Sequence, residues 1–515
     1  MQEMLWHEAR GALEDTENIT SFRLVFANII FALTQRPLDV AKCSNSLKLD
    51  ETMLFPDSDP GSCPSNWPTP AISPECEKPD YEQNLLENVF ELDGPPIFLE
   101  RALRQMFSYR CKLEKFESQQ RTNMKKTRGW PEISSNNMQT PLEIKDRQTF
   151  NLLFWLAVMF DTLSAAINKR PLVVSDEDSD ILPSVQPQSN HGQLEEYVNF
   201  DYLAIDGLIP SKINESELWG EFFFEKGGTY SETDSPRWPC SYDLATSILC
   251  EAAPIKVVLF RRITQLQTLL SRRARPQKLE IAIGNALKVH DYWNTKYGPF
   301  FCDCISYHDT LPPRIQSWYI VLAGHWHLAG LLLADLIEEI DEMQAGLENH
   351  RITRSHKKLV ENLRLHNAFA ISDLGRCSCP NPNTSFSRAG EFHSAVNEGA
   401  LLTEPWTEVL IQSFSKACTV LMKMFPQPGY EEHSKFDVYT SRSESCVKAL
   451  WYLGRKSDIA LLACNILSGA LKQKVTDLRR YSDNMQHEES NTSEESGGVR
   501  NGFSYYAMED SMDSL

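Results

Sequence analysis

Between Arg147 and Asn168 the chain offers apolar residues to nearly every side of a helix. Phe150, Phe154 and Ala157 share one face with Asp161 and Ser164, while Leu152, Trp155, Leu156, Met159 and Leu163 fill most of the rest. Such a helix is predicted to lie centrally in a bundle, contacted from several sides. It is expected over Glu143–Asn168, with an apolar run of about 20 residues, or roughly 30 Å. Pro171 stops it, and its ring pushes Arg170 toward an extended conformation. Asp161 is the exception within the apolar surface. A buried carboxylate needs a donor or a cation, because an unpaired buried charge is costly or must neutralise. Arg170 or Lys169, folding back after the helix, is the expected partner; a capped or solvent-reaching Asp161 is the alternative.

The helical period recurs along the chain. Leu5–Glu14, Phe22–Gln35, Ile97–Phe116, Ser241–Ser271, Gln277–Tyr297, Pro313–Met343, Ser355–Ser372, Glu404–Met424 and Ser443–Leu471 carry apolar residues three and four apart, and Pro or Gly marks the breaks. Period-two alternation is scarce, with Glu221–Glu225 at best a short strand. The expected class is therefore all-α, a multi-helix bundle-like domain with long loops. No fixed repeat is present, which argues against a regular solenoid. The longest apolar stretch, Trp318–Ile337, is interrupted by His325, His327 and Asp335, so a buried helix is expected there rather than a membrane span.

Composition divides the chain further. Residues 1–42 read as N-terminal helices and 43–80 as a linker carrying Pro56, Pro60, Pro64, Pro68, Pro70, Pro74 and Pro79. Residues 81–200 form a first helical half and 201–472 a second. Gln119–Thr140 is polar, and Ser175–Glu196 is acidic without Lys or Arg. Residues 473–515 are expected to be a disordered acidic tail, in which Phe503, Tyr505, Tyr506, Met508, Met512 and Leu515 stand among acids. That composition suits either an activation segment or an ordinary frayed terminus. The net charge of −19 disfavours direct binding to a phosphate backbone. Met1–Arg10 lacks the pattern of a secretory signal, and 13 scattered cysteines, several inside apolar helical runs, suit a reducing compartment.

The order Phe154-Trp155, Asp161, Arg170-Pro171 and then acidic Asp176-Glu177-Asp178 resembles the signature of the fungal-specific transcription factor domain, the middle homology region of zinc-cluster regulators. Family members carry Gly where this chain has Lys169. A looser match is the His- and Leu-rich helix Trp318–Ile337, which lacks the family's Tyr and terminal Arg-Pro. The opening, Met1–Asp39, is similar to that of the ethanol-utilisation regulators of filamentous fungi. The resemblance implies a helical regulatory domain acting on RNA polymerase II transcription in the nucleus, with transcription machinery or co-regulator proteins as partners, a homodimer as an open arrangement and no membrane.

Zinc-cluster regulators read DNA through cysteines that open with Cys-x-x-Cys and share zinc ions. This chain contains no Cys-x-x-Cys. No cofactor is expected in it; zinc belongs only to an upstream cluster, and DNA would be reached through such a domain or a partner. Cys302, Cys304 and His308, with Asp303 or Asp309, could supply metal ligands, but a Cys-containing loop between helices is the plainer expectation. The basic runs Arg261-Arg262, Arg272-Arg273-x-Arg275 and Arg351–Lys358 read as solvated faces. Asp335, Glu338, Glu339, Asp341 and Glu342 raise a second reading, a Mg²⁺-dependent prenyl-diphosphate enzyme, since Asp335 and Glu339 share a helix face. Without Asp-Asp-x-x-Asp or a matching second motif, a solvated helix end is expected instead. His325 and His327, two apart, should point to different neighbours. A helical scaffold without activity is the third reading.

Overall fold

The computed structural model describes residues 2–38, 81–126, 144–174, 235–379, 406–425 and 433–495, together with Leu401 and apart from a few positions within 17–20 and 93–95. Among these residues there are fourteen α-helices, one 3-10 turn and no strand. The helices are α1 (Gln2–Asp15), α2 (Phe22–Ala32), α3 (Tyr81–Glu91), α4 (Ile97–Lys126), α5 (Ile144–Ile167), α6 (Tyr242–Ser271), α7 (Pro276–Lys296), α8 (Gly298–Ser306), α9 (Pro313–Glu342), α10 (Glu348–His356), α11 (Leu359–Ser378), α12 (Thr407–Lys423), α13 (His433–Leu453) and α14 (Asp458–Glu495). The all-α architecture is thus as the apolar spacing indicates. The short strand expected at Glu221–Glu225 and the Pro-rich linker 43–80 lie outside the described residues.

The centre is α9. From Tyr319 to Ile340 nearly every residue is buried, and the helix packs against α6, α11 and α12. Thirty residues at 1.5 Å each make a rod of about 45 Å, long enough to touch several neighbours along its length. Both α5 and α9 are long and apolar enough to cross a membrane, but most of each apolar run is covered by other helices. Glycines let the rods approach. A Cβ on Gly324 would meet Leu410 of α12 at 2.6 Å, and one on Gly330 would meet Asn367 of α11 at 2.5 Å. On Gly375 of α11 it would meet the Ser445 carbonyl of α13 at 2.8 Å.

Several elements depart from expectation. Ile97–Phe116 continues to Lys126, so the start of the polar stretch 119–140 is helical. Ser355–Ser372 is two helices, because Lys358 takes φ 49° and turns the chain between α10 and α11. Ser443–Leu471 is also two, broken after Leu453 at Gly454. The last helix runs to Glu495, past Arg480, where no Pro or Gly interrupts propagation before Gly497. Residues 496–515 lie outside the described part. Helix α5 packs on α4, α6 and α2. Its second half, Phe160–Ala166, is fully buried, whereas Leu152 is exposed and Trp155 half-buried, so enclosure on all sides holds only toward its end.

Candidate functional site

The resemblance singles out Phe154, Trp155, Asp161, Arg170 and Pro171, and three of the five meet. Helix α5 ends at Ile167, and Lys169 adopts φ 49°, the left-handed conformation that closes a helix. The Arg170 N–H then bonds to the Ala165 carbonyl at 3.0 Å. This reversal swings the Arg170 side chain back onto the helix. Its Nη1 donates to Asp161 Oδ1 at 2.8 Å and to the Pro171 carbonyl at 3.0 Å. The second carboxylate oxygen, Asp161 Oδ2, accepts the backbone N–H groups of Val173 (2.8 Å) and Val174 (3.3 Å). Asp161 is completely buried, so these donors replace all of its water. Arg170 also lies 3.9 Å from Glu100 in the first turn of α4. The Asp161–Arg170 pairing is therefore present, and its role is to clasp the end of α5 to the chain that follows.

Phe154 and Trp155 sit about two turns away, too far to join the clasp. Phe154 stacks on Phe150 and carries the Arg110 guanidinium 5.0 Å from its ring centroid; Phe150 in turn meets Phe22 and Tyr109. These rings join α2, α4 and α5. The acidic run Asp176–Asp178 lies outside the described residues.

The histidines of α9 diverge, as their spacing requires. His325 is buried against α6, 3.4 Å from Lys256 Nζ. His327 is buried against α11, with Nδ1 2.8 Å from Asn367 Oδ1. Burial pushes His327 down to about 3, despite the Asn367 hydrogen bond. Burial and then the Lys256 charge push His325 well down too. Both rings are neutral at ordinary pH.

Of the acids of α9, Glu339 and Glu342 are exposed as a solvated end requires, but Asp335, Glu338 and Asp341 are paired. Asp335 is half-buried and bridged by Arg364 of α11 (2.8 Å) and by Lys416 of α12. Burial raises the Asp335 pKa, but Lys416 and Arg364 overcome it and hold the carboxyl below its usual range. Arg364 also donates to Glu338 Oε1 at 2.7 Å. Asp341 belongs to a separate cluster, in which Arg354 reaches Glu280 Oε2 at 2.6 Å and Asp341 Oδ2 at 3.0 Å, while the Leu347 N–H gives 3.0 Å to Glu280 Oε1. His350 Nδ1 adds a 3.0 Å contact. Burial raises Glu280, and Arg354, Leu347 and His350 together bring it below normal. Arg354 and Arg261 are buried, so neither basic run is wholly a solvated face.

Cys302 and Cys304 lie on α8 rather than in a loop, Cys302 exposed and Cys304 buried. Asp303 is held instead by Arg237 (2.6 and 2.8 Å) and the Trp238 N–H (3.0 Å). His308 Nδ1 is 2.7 Å from the Tyr319 hydroxyl. Among the described residues no group of three or more His, Cys, Asp or Glu side chains is arranged to hold a metal ion. The ion pairs between helices and the buried histidine contacts join residues 13 to 81 positions apart, which no spacing rule in the sequence exposes. Comparison with protein-family models, curated proteins and solved structures finds no significant match to this chain in any of the three.

Proposed function

We propose that this chain is the helical regulatory part of a fungal transcription regulator, a relative of the zinc-cluster family that carries no DNA reader in these residues. The observation that carries the reading is the Asp161 clasp. The signature spacing becomes intelligible in it: a residue at 169 must turn left-handed, a glycine suits that turn best, Arg170 must return to Asp161, and Pro171 both ends the helix and offers its carbonyl. Family members' Gly-Arg-Pro fits the same geometry, and Lys169 performs the turn at some backbone strain. In this reading the helical body is a frame, the acidic tail contacts transcription machinery or co-regulators in the nucleus, and ligand binding shifts the balance only through differential affinity for two states.

The prenyl-diphosphate reading is less well supported because Asp335 and Glu338 are already neutralised by Arg364 and Lys416. A magnesium–diphosphate site there would have to break those pairs. Two experiments separate the readings. Deleting the gene and profiling transcripts should reveal a coherent set of changed messages that the wild-type chain restores. Turnover of prenyl diphosphates by purified protein with Mg²⁺, with transcripts unchanged by the deletion, would overturn the regulatory reading.

A further inference from the structure

Helices α2 and α4 form an outer corner beside the clasp. They run antiparallel, since Phe31 meets Phe98 (4.7 Å between ring centroids) and Phe22 meets Tyr109 (5.0 Å). In a chain of net charge −19, these two helices carry nine basic residues and three acids. The outward stripe of α2 is partly apolar: Phe26 is 42% exposed and Ile30 48%, one turn apart, with Arg23 exposed a turn earlier. A Phe–Ile pair at this spacing, with Arg23 one turn away on a basic pair of helices, has the chemistry to hold an acidic segment bearing aromatic side chains.

One segment of this chain has that composition. Residues 194–209 contain Tyr197, Phe200 and Tyr202 among Glu195, Glu196, Asp201 and Asp206, with no Lys or Arg. The chain departs from α5 beside the corner: the Val174 N–H is held by Asp161, and Arg170 lies 3.9 Å from Glu100 of α4. The spacer 175–193 has 19 residues. A flexible chain of that length spans about 25 Å on average. Phe98 of α4 already touches Phe31, the neighbour of Ile30. The C-terminal stretch is compositionally similar but follows Glu495. Helix α14 begins at Asp458, which binds the Leu38 N–H just after α2. Its C-terminal end is therefore about 57 Å away along the rod.

We propose that residues 194–209 dock on the α2–α4 face, their aromatic rings covering Phe26 and Ile30 and their acids facing Arg23 and the bases of α4. The contact stands independently of the transcriptional reading. Its test uses the full chain and a fluorescent synthetic peptide of residues 194–209. In wild type the tethered copy competes at high effective concentration, so a Tyr197→Ser, Phe200→Ser, Tyr202→Ser variant should bind the peptide at least about tenfold more tightly. Adding Phe26→Glu and Ile30→Glu should abolish that gain. Both positions are exposed, so circular dichroism should be unchanged; Arg23→Glu is a milder second disruption that should weaken binding and steepen its loss with salt. Equal peptide binding to wild type and the vacated variant would overturn the proposal, as would binding indifferent to all three surface changes. A wild-type dimer that dissociates on Phe26→Glu would assign the face to a second copy and overturn it too.

Discussion

At the scale of single residues, Asp161 shows how a charge survives in an apolar helix. Its two oxygens take one guanidinium and two backbone N–H groups, so neither oxygen is left unsatisfied. Removing the cation while leaving the carboxylate is the damaging change. Arg170→Ala should cost about 3–5 kcal/mol, the usual penalty for stranding a buried charge, read as a lowered urea midpoint at unchanged slope. An unaltered midpoint would mean that the two amides alone hold Asp161. Lys169 offers the opposite sign. A lysine at φ 49° strains its Cβ. Lys169→Gly should therefore raise stability by about 0.5–1 kcal/mol, the relief exceeding the extra freedom of glycine in the unfolded chain. The pairing is legible in sequence, since a proline sets the helix end and a carboxylate inside an apolar helix needs a cation, while the left-handed turn is not, because Lys169 reads equally as a second candidate partner. Trp155 is less legible: the apolar pattern marks it for burial, yet it is only half-buried.

At the scale of elements, close approach of α9, α11, α12 and α13 depends on missing side chains. Gly375 faces a backbone carbonyl, which cannot rotate away. Gly375→Ala should destabilise by roughly 1–3 kcal/mol through overpacking. Gly284 of α7 has open space around its Cβ position, so Gly284→Ala should be stabilising by about 0.5–1 kcal/mol through helix propensity. Thermal denaturation of the two variants should move in opposite directions, and movement in the same direction would refute this account of helix spacing. Helix identity is carried by apolar period, which is why α6, α7, α9 and α12 fall close to their expected bounds. The α10–α11 break is invisible beforehand because Lys358, rather than Gly or Pro, makes the turn. Asp335 and Glu338 look solvated in sequence for a similar reason: Arg364 and Lys416 arrive from other helices, and local spacing holds no record of them.

At the scale of the whole molecule, buried neutral histidines join the helices across α9. His327 titrates near 3 when folded but near its ordinary 6.5 when unfolded. Its folded pKa is depressed, so as pH falls below about 6.5 the unfolded state takes up a proton that the folded state refuses. His325 acts in the same direction. Stability should therefore be full above pH 6.5 and decline from there toward pH 5, before most carboxylates titrate. His327→Gln should flatten that decline in urea titrations, whatever it does to stability at pH 7; an identical pH slope in the variant would remove His327 from the account.

The same frame is the basis of the regulatory reading: a helical body whose described residues hold no group of three or more His, Cys, Asp or Glu side chains arranged for a metal ion, joined to acidic segments rich in aromatic residues. The measurement that tests this most directly is transcription from a reporter to which the full chain is tethered through a foreign DNA-binding domain. The account predicts a change in reporter output relative to the binding domain alone, altered again when residues 496–515 are removed. Output equal to the binding domain alone, for both the full and the shortened chain stably expressed in the nucleus, would contradict it.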